Sequence, residues 1–214
     1  MSSLLQTEVV GPFEENCYLV RLPGTEREVV IIDPGDESAR IISALDTNGW
    51  TPAAILNTHG HVDHVGAVDD LKRHFDIPFL IHADEAAVLQ SYPAMRSLLG
   101  LEEGVAPVPD RWIREEVEVQ ISGCPVQVIH TPGHTPGSCV YRVGDCVFTG
   151  DTLFAGSVGR TDLPGGNFHQ LQTSLRTLLD AVPEDLLLYP GHGPHTTLAQ
   201  EKVHNPFLRE TILQ

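Results

Sequence analysis

Thr58-His59-Gly60-His61-Val62-Asp63-His64 sets three imidazoles and a carboxylate within six residues, directly after the apolar run Ala53-Ala54-Ile55-Leu56. Such a cluster at the end of a buried strand is unfavourable by several kcal/mol unless something binds it. A metal ion is the obvious compensation. Alternation in an extended chain turns residues i and i+2 to the same side, so His59 and His61 can grip one ion. Asp63 then falls at the natural N-cap of a helix beginning near His64. Asp63 and His64 leave in another direction and can serve a second ion.

Working outward, three further ligand-type side chains follow strand-like runs. His134 lies in Thr131-Pro132-Gly133-His134-Thr135-Pro136-Gly137, Asp151 follows Val147-Phe148-Thr149-Gly150, and His192 follows Leu187-Leu188-Tyr189-Pro190-Gly191. Each time an apolar strand ends in a glycine, which lets the backbone approach a site closely, and a ligand follows. Taken singly, Asp151 could be a helix cap and His192 a turn histidine; their recurrence argues for one shared site. Asp33, at a strand end in Asp33-Pro34-Gly35, is the candidate to orient a ligand imidazole through its other ring nitrogen.

Short β-rich runs at 29–32, 55–56, 79–81, 126–129, 140–143, 147–148 and 186–189 each end at Gly, Pro, Asp or His. Helical spacing predicts helices over 38–45, 64–75 and 168–179, with another at 84–89. Gly144-Asp145 predicts a hairpin, and 91–113 reads as an irregular surface excursion. Strands with interspersed helices suit a layered α/β protein with mixed sheets, in one domain over 1–214.

The 29 acidic and 13 basic residues give a formal charge of −16. That argues against binding nucleic acid, which calls for a basic face. No apolar run reaches the roughly 18–20 residues of a membrane span, and residues 1–11 lack signal-peptide character. The expectation is a cytoplasmic protein without nucleic-acid or membrane partners; the sequence fixes no oligomeric state. Cys17, Cys124, Cys139 and Cys146 form no C-x-x-C pair and read as plain buried thiols.

H-x-H-x-D-H followed by a distant His, Asp and His resembles the metallo-β-lactamase superfamily, from Ile31-Ile32-Asp33-Pro34-Gly35 to His204-Asn205-Pro206-Phe207-Leu208. The resemblance implies an αββα four-layer sandwich with mixed sheets and a two-metal site along one edge. It implies that His59, His61 and His134 hold the first ion, that Asp63, His64 and His192 hold the second, and that Asp151 bridges them, with Asp63 also catalytic. Zinc is the implied metal, with iron or manganese as alternatives. Two divalent cations, two carboxylates and a bridging hydroxide leave the cluster net positive, able to polarise a carbonyl. Within the superfamily, Thr131–Gly137, Phe148-Thr149-Gly150-Asp151, Gly159-Arg160-Thr161-Asp162 and Gly191-His192-Gly193-Pro194 resemble the short type of glyoxalase II. That implies a thiolesterase on S-acylglutathione, of the S-lactoylglutathione kind, acting through hydroxide attack on the thioester carbonyl. Arg160 matches a basic residue that faces the glutathione in long relatives; the alternative reading is an internal salt bridge to Asp162. Pro194 replaces a Tyr of the long enzymes, and their C-terminal glutathione contacts have no counterpart.

The rival reading is a mononuclear iron persulfide dioxygenase on the same fold, with its iron on the positions of His59, His134 and Asp151. Leu163 in place of that group's Phe, and the ending Tyr189-Pro190-Gly191-His192-Gly193-Pro194, lean toward the hydrolases. Nuclease activity is disfavoured by the acidic charge, lactamase activity by the lack of secretory character, and a purely structural metal module by seven ligands for two ions.

Overall fold

The computed structural model describes residues 5–213, so residues 1–4 and 214 of the expected domain lie outside it. Fourteen strands and eight α-helices follow one another along this stretch. The first sheet runs in the order β1 (Leu5–Val10), β2 (Glu15–Arg21), β3 (Glu28–Ile32), β4 (Thr51–Leu56), β5 (Phe79–His82), β6 (Arg111–Ile113). Its first three strands are antiparallel and the rest parallel. In the second sheet β7 (Glu118–Ile121), β8 (Cys124–His130), β9 (Cys139–Val143) and β10 (Cys146–Gly150) form an antiparallel meander. A two-stranded ribbon, β11 (Leu153–Phe154) with β12 (Ser157–Val158), follows. β13 (Leu187–Pro190) then pairs parallel to β10 and antiparallel to β14 (Thr196–Thr197).

Alternation explains the layers. On β3, Val30 and Ile32 face the second sheet and join Tyr18, Leu56, Tyr141 and Phe148 in the central core, while Val29 and Ile31 face outward. That outer face is covered by α1 (Ser38–Asn48) and α3 (Val68–Phe75), through Ile41, Leu45, Val68 and Leu71. The second sheet is covered by α6 (Phe168–Ala181), whose Leu171, Leu175 and Leu178 meet Val140, Val147 and Leu188. Strands buried on both faces read as near-continuous apolar runs, as β3 and β10 do. The expected αββα sandwich with mixed sheets is the observed architecture.

Several expectations are corrected. The helix expected over 64–75 is broken into α2 (Val62–Val65) and α3. The Pro34-Gly35 turn enters the break: Ala67 donates to the Pro34 carbonyl at 3.0 Å, and a Cβ on Gly66 would stand 2.2 Å from the Gly35 oxygen. The N-cap is therefore His61, and Asp63 sits in the first turn rather than at the cap. The segment 91–113 is not irregular throughout, because it holds α5 (Tyr92–Leu98) and ends in β6. Pro93 marks the start of that helix, where its fixed φ helps and its missing N–H is not needed. The helix expected over 84–89 opens as a 3₁₀ turn, Ala83–Glu85, and continues as α4 (Ala86–Gln90). The hairpin at Gly144-Asp145 is present. All four cysteines are free, and three are buried.

Candidate metal centre

Every ligand predicted from the sequence arrives at one edge of the sandwich. His59 and His61 come from the loop after β4, Asp63 and His64 from α2, and His134 from the loop between β8 and β9. Asp151 follows β10 and His192 follows β13. Four groups among the described residues are able to hold an ion; besides Asp33–His59–His64 and His82–Asp84–His130, these are His59–His61–His134 and Asp63–His64–His192, the two that consist wholly of the expected ligands. Asp151 reaches both: one oxygen lies 3.4 Å from His64 Nε2, the other 3.5 Å from His134 Nε2 and 3.8 Å from His192 Nε2.

The hydrogen bonds fix which ring nitrogens are bare. His134 Nδ1 donates to the Arg160 carbonyl at 2.7 Å, leaving its Nε2 with a lone pair. His59 Nδ1 lies 3.1 Å from Thr58 Oγ1, whose own proton goes to Asp33 Oδ2 at 2.6 Å, so the imidazole donates here as well. His134 Nε2 then stands 3.2 Å from His59 Nε2 and 2.9 Å from His61 Nδ1. The lone pairs of His59 and His134 face one another at 3.2 Å, and such a pair repels unless a cation lies between. The spacing is close to the roughly 3.3 Å between two nitrogens on one tetrahedral ion. Burial, joined by neighbouring imidazoles, pushes His59 well down and brings His61 and His134 to about 4, so all three are neutral ligands at neutral pH.

The second group shows the same deficit. His64 is fully buried, and its ring nitrogens make no well-aligned hydrogen bond, facing only carboxylate oxygens at ion-pair distance, Asp33 Oδ2 at 3.2 Å and Asp151 Oδ1 at 3.4 Å. His192 Nδ1 donates to the Phe13 carbonyl at 3.0 Å, leaving Nε2 aimed at Asp63 Oδ2, 3.3 Å away. Burial favours the protonated Asp63, but His64 and His192 outweigh it and hold the carboxyl well below the usual range. An anionic, imidazole-rich pocket with orphaned buried nitrogens fits divalent cations.

Asp33 lies where the sequence reading set it, with Oδ2 3.2 Å from His64 Nδ1 and Oδ1 accepting from the Thr58 amide at 2.7 Å. Arg160 is split between its parts. Its carbonyl orients His134, while its guanidinium makes a bidentate pair with Asp162 at 2.7 and 2.9 Å on the cavity rim. His82 and His130 stack on one another 4.1 Å apart, beside Arg114 and away from the ligands.

Three residues were missed. Glu85, fully buried, accepts the Gly60 amide at 2.7 Å and the Gly137 amide at 2.6 Å. It thereby ties the His59–His61 loop to the His134 loop. In sequence it looks like an ordinary acid at a helix start. Asn16 donates to the Pro190 and Gly193 carbonyls, and its amide donates to Gly191, clamping the His192 loop. Glu15 is buried beside His64 with both oxygens unpaired, and burial raises its pKa. The Glu15-Asn16 pair opens the apolar run Cys17-Tyr18-Leu19-Val20, a signal that could have drawn attention to that strand end. Glu85→Ala is expected to weaken metal binding about 10–100-fold, the usual cost of losing an outer-shell partner. Metal competition titration checks it, and wild-type affinity would refute it.

The chain belongs to the metallo-beta-lactamase superfamily, which it matches over residues 10–192, and it carries a His/Asp cluster of metal-binding type. It is 38% identical to the hydroxyacylglutathione hydrolase GloC of Haemophilus influenzae over 203 residues, covering 93% of this chain and 95% of that protein. Its fold superposes on the BLEG-1 B3 metallo-beta-lactamase with a TM-score of 0.88 at 39% identity, over 95% of this chain and 99% of the other. The di-iron-bound form of TTHA1623 gives 0.86 at 40%, over 95% and 100%. Among the described residues no helix is long and apolar enough to cross a membrane.

Proposed function

We propose that the chain is a binuclear metallohydrolase that cleaves thioesters of the S-acylglutathione class. The observation that carries this reading is the pair of complete ligand groups sharing Asp151. A one-iron site on His59, His134 and Asp151 would leave Asp63, His64 and His192 without a task. In the proposed site His59, His61 and His134 would hold one ion, Asp63, His64 and His192 would hold the other, and Asp151 lies within reach of both groups. Bound cations supply Lewis-acid polarisation of the carbonyl and activation of water near neutral pH. The protein's own part is positional. Thr58, Asp33, the Arg160 carbonyl and the Phe13 carbonyl lock the imidazoles, and Asp63, held ionised, would serve as an anionic ligand that accepts a hydrogen bond from a nearby water. Net reaction forms a C–O bond and breaks the C–S bond, releasing a carboxylate and a thiol.

Support for a thioester comes from the likeness to a hydroxyacylglutathione hydrolase over nearly the full chain. The protein is to be assayed with S-lactoylglutathione, a β-lactam and glutathione persulfide, beside elemental analysis. Thioester hydrolysis with two ions per chain supports the reading. One iron with brisk oxygen uptake, or β-lactam turnover without thioester turnover, overturns it.

Arg160→Ala should raise KM for glutathione thioesters about threefold, and less for simple thioesters. The effect is modest because Asp162 already holds the exposed guanidinium and such surface pairs contribute little. Equal shifts on both substrates would count against a carboxylate contact.

A further inference from the structure

The wall above the metal centre is apolar where a hydrophilic substrate would find little to hold. A cavity of about 470 Å³ opens on His61, Asp63, His134, Asp151 and His192, and its other side is formed by Phe13, Val62, Met95, Leu98, Leu99 and Leu163. A second recess of about 210 Å³ continues from it, sharing His61, Val62, Met95, Leu98 and Leu163, and reaches in to Val88 and Tyr92. Tyr92, Met95 and Leu98, three apart on α5, run from the core to this rim. Tyr92 is 4% exposed, whereas Leu98 is 78% and Leu99 44% exposed. Large apolar side chains left facing solvent beside a polar centre mark a binding surface. The single cation lining the cavity, Arg160, is engaged by Asp162.

We propose that this recess binds an apolar acyl group, so that the preferred substrates are thioesters of medium-chain or aromatic acids rather than of short hydroxy acids. The proposal rests on the thioester reading above. Charge offers the substrate little here beyond the scissile carbonyl itself, so the discriminating binding energy has to come from apolar contact. Each methylene buried is worth about 0.8 kcal/mol, a three- to fourfold step.

The test measures kcat/KM of the metal-loaded protein on acetyl-, butyryl-, hexanoyl-, phenylacetyl- and lactoylglutathione. The expected result is a rise on the order of 10²-fold from acetyl to hexanoyl, with lactoyl near acetyl. Leu98→Asp, on an exposed position, should lower the hexanoyl-to-acetyl ratio at least about tenfold (several methylenes' worth of contact) at unchanged metal content. A flat series, a lactoyl preference, or an unaltered ratio in the variant overturns the proposal and leaves the thioester reading intact. No turnover of any thioester overturns that reading instead. Acetyl thioesters of glutathione and of benzyl mercaptan form a second arm; a steep gain there, with a flat acyl series, would put the apolar group on the thiol side and refute the acyl assignment.

Discussion

Asp151→Ala is expected to lower thioester hydrolysis on the order of 10³-fold or more, the scale of losing a group that organises charge at the reacting centre. No neighbour can replace it. Its two oxygens serve both ligand groups, and Gly191 lies so close that a Cβ there would be 2.3 Å from Oδ1. The shorter side chain would also take from His64 Nε2 the carboxylate that stands 3.4 Å from it. Steady-state kinetics and metal content together check this. Activity within tenfold of wild type would remove Asp151 from the centre.

His59→Ala is expected to abolish both activity and metal retention in the first group. His59 is buried, as is His134, and is set in place by Thr58 and Asp33. Loss of a ligand that binds only the folded chain also lowers stability. A metal at about 1,000 times its Kd contributes about 4 kcal/mol, so the variant should melt about 10 °C lower, and chelator-treated wild type should melt alike. Full metal content in the variant, measured by elemental analysis, would show the group to be misassigned.

The ligand loops were legible because each combines two signals, an apolar strand and a punctuating glycine before a coordinating side chain. Such signals are local, and the fold brings all seven of these side chains to one edge of the sandwich. What supports the ligands was not legible. Glu85 touches Gly60 and Gly137, 25 and 52 residues away, and Asn16 touches Pro190 at a separation of 174. A carboxylate or amide carries no mark of a distant partner until the sheets bring them together. The broken helix at Gly66 has the same origin. Its periodicity is continuous, but the Pro34-Gly35 turn intrudes on the backbone. Strands β1, β2, β6 and β7 are absent from the expected runs; β6 is only three residues long, and the side chains of β1 are mostly polar up to Glu8.

The clamp formed by Asn16 has a consequence for biosynthesis. Four of the seven ligands emerge from the ribosome early and together, yet neither ion can be fully enclosed until the chain has passed His134 for one and His192 for the other. Closing the second requires β13 of one sheet to meet β2 of the other, the kind of long-range contact that forms late. The first group is therefore complete in the chain well before the second, which stays open until β13 docks against β2.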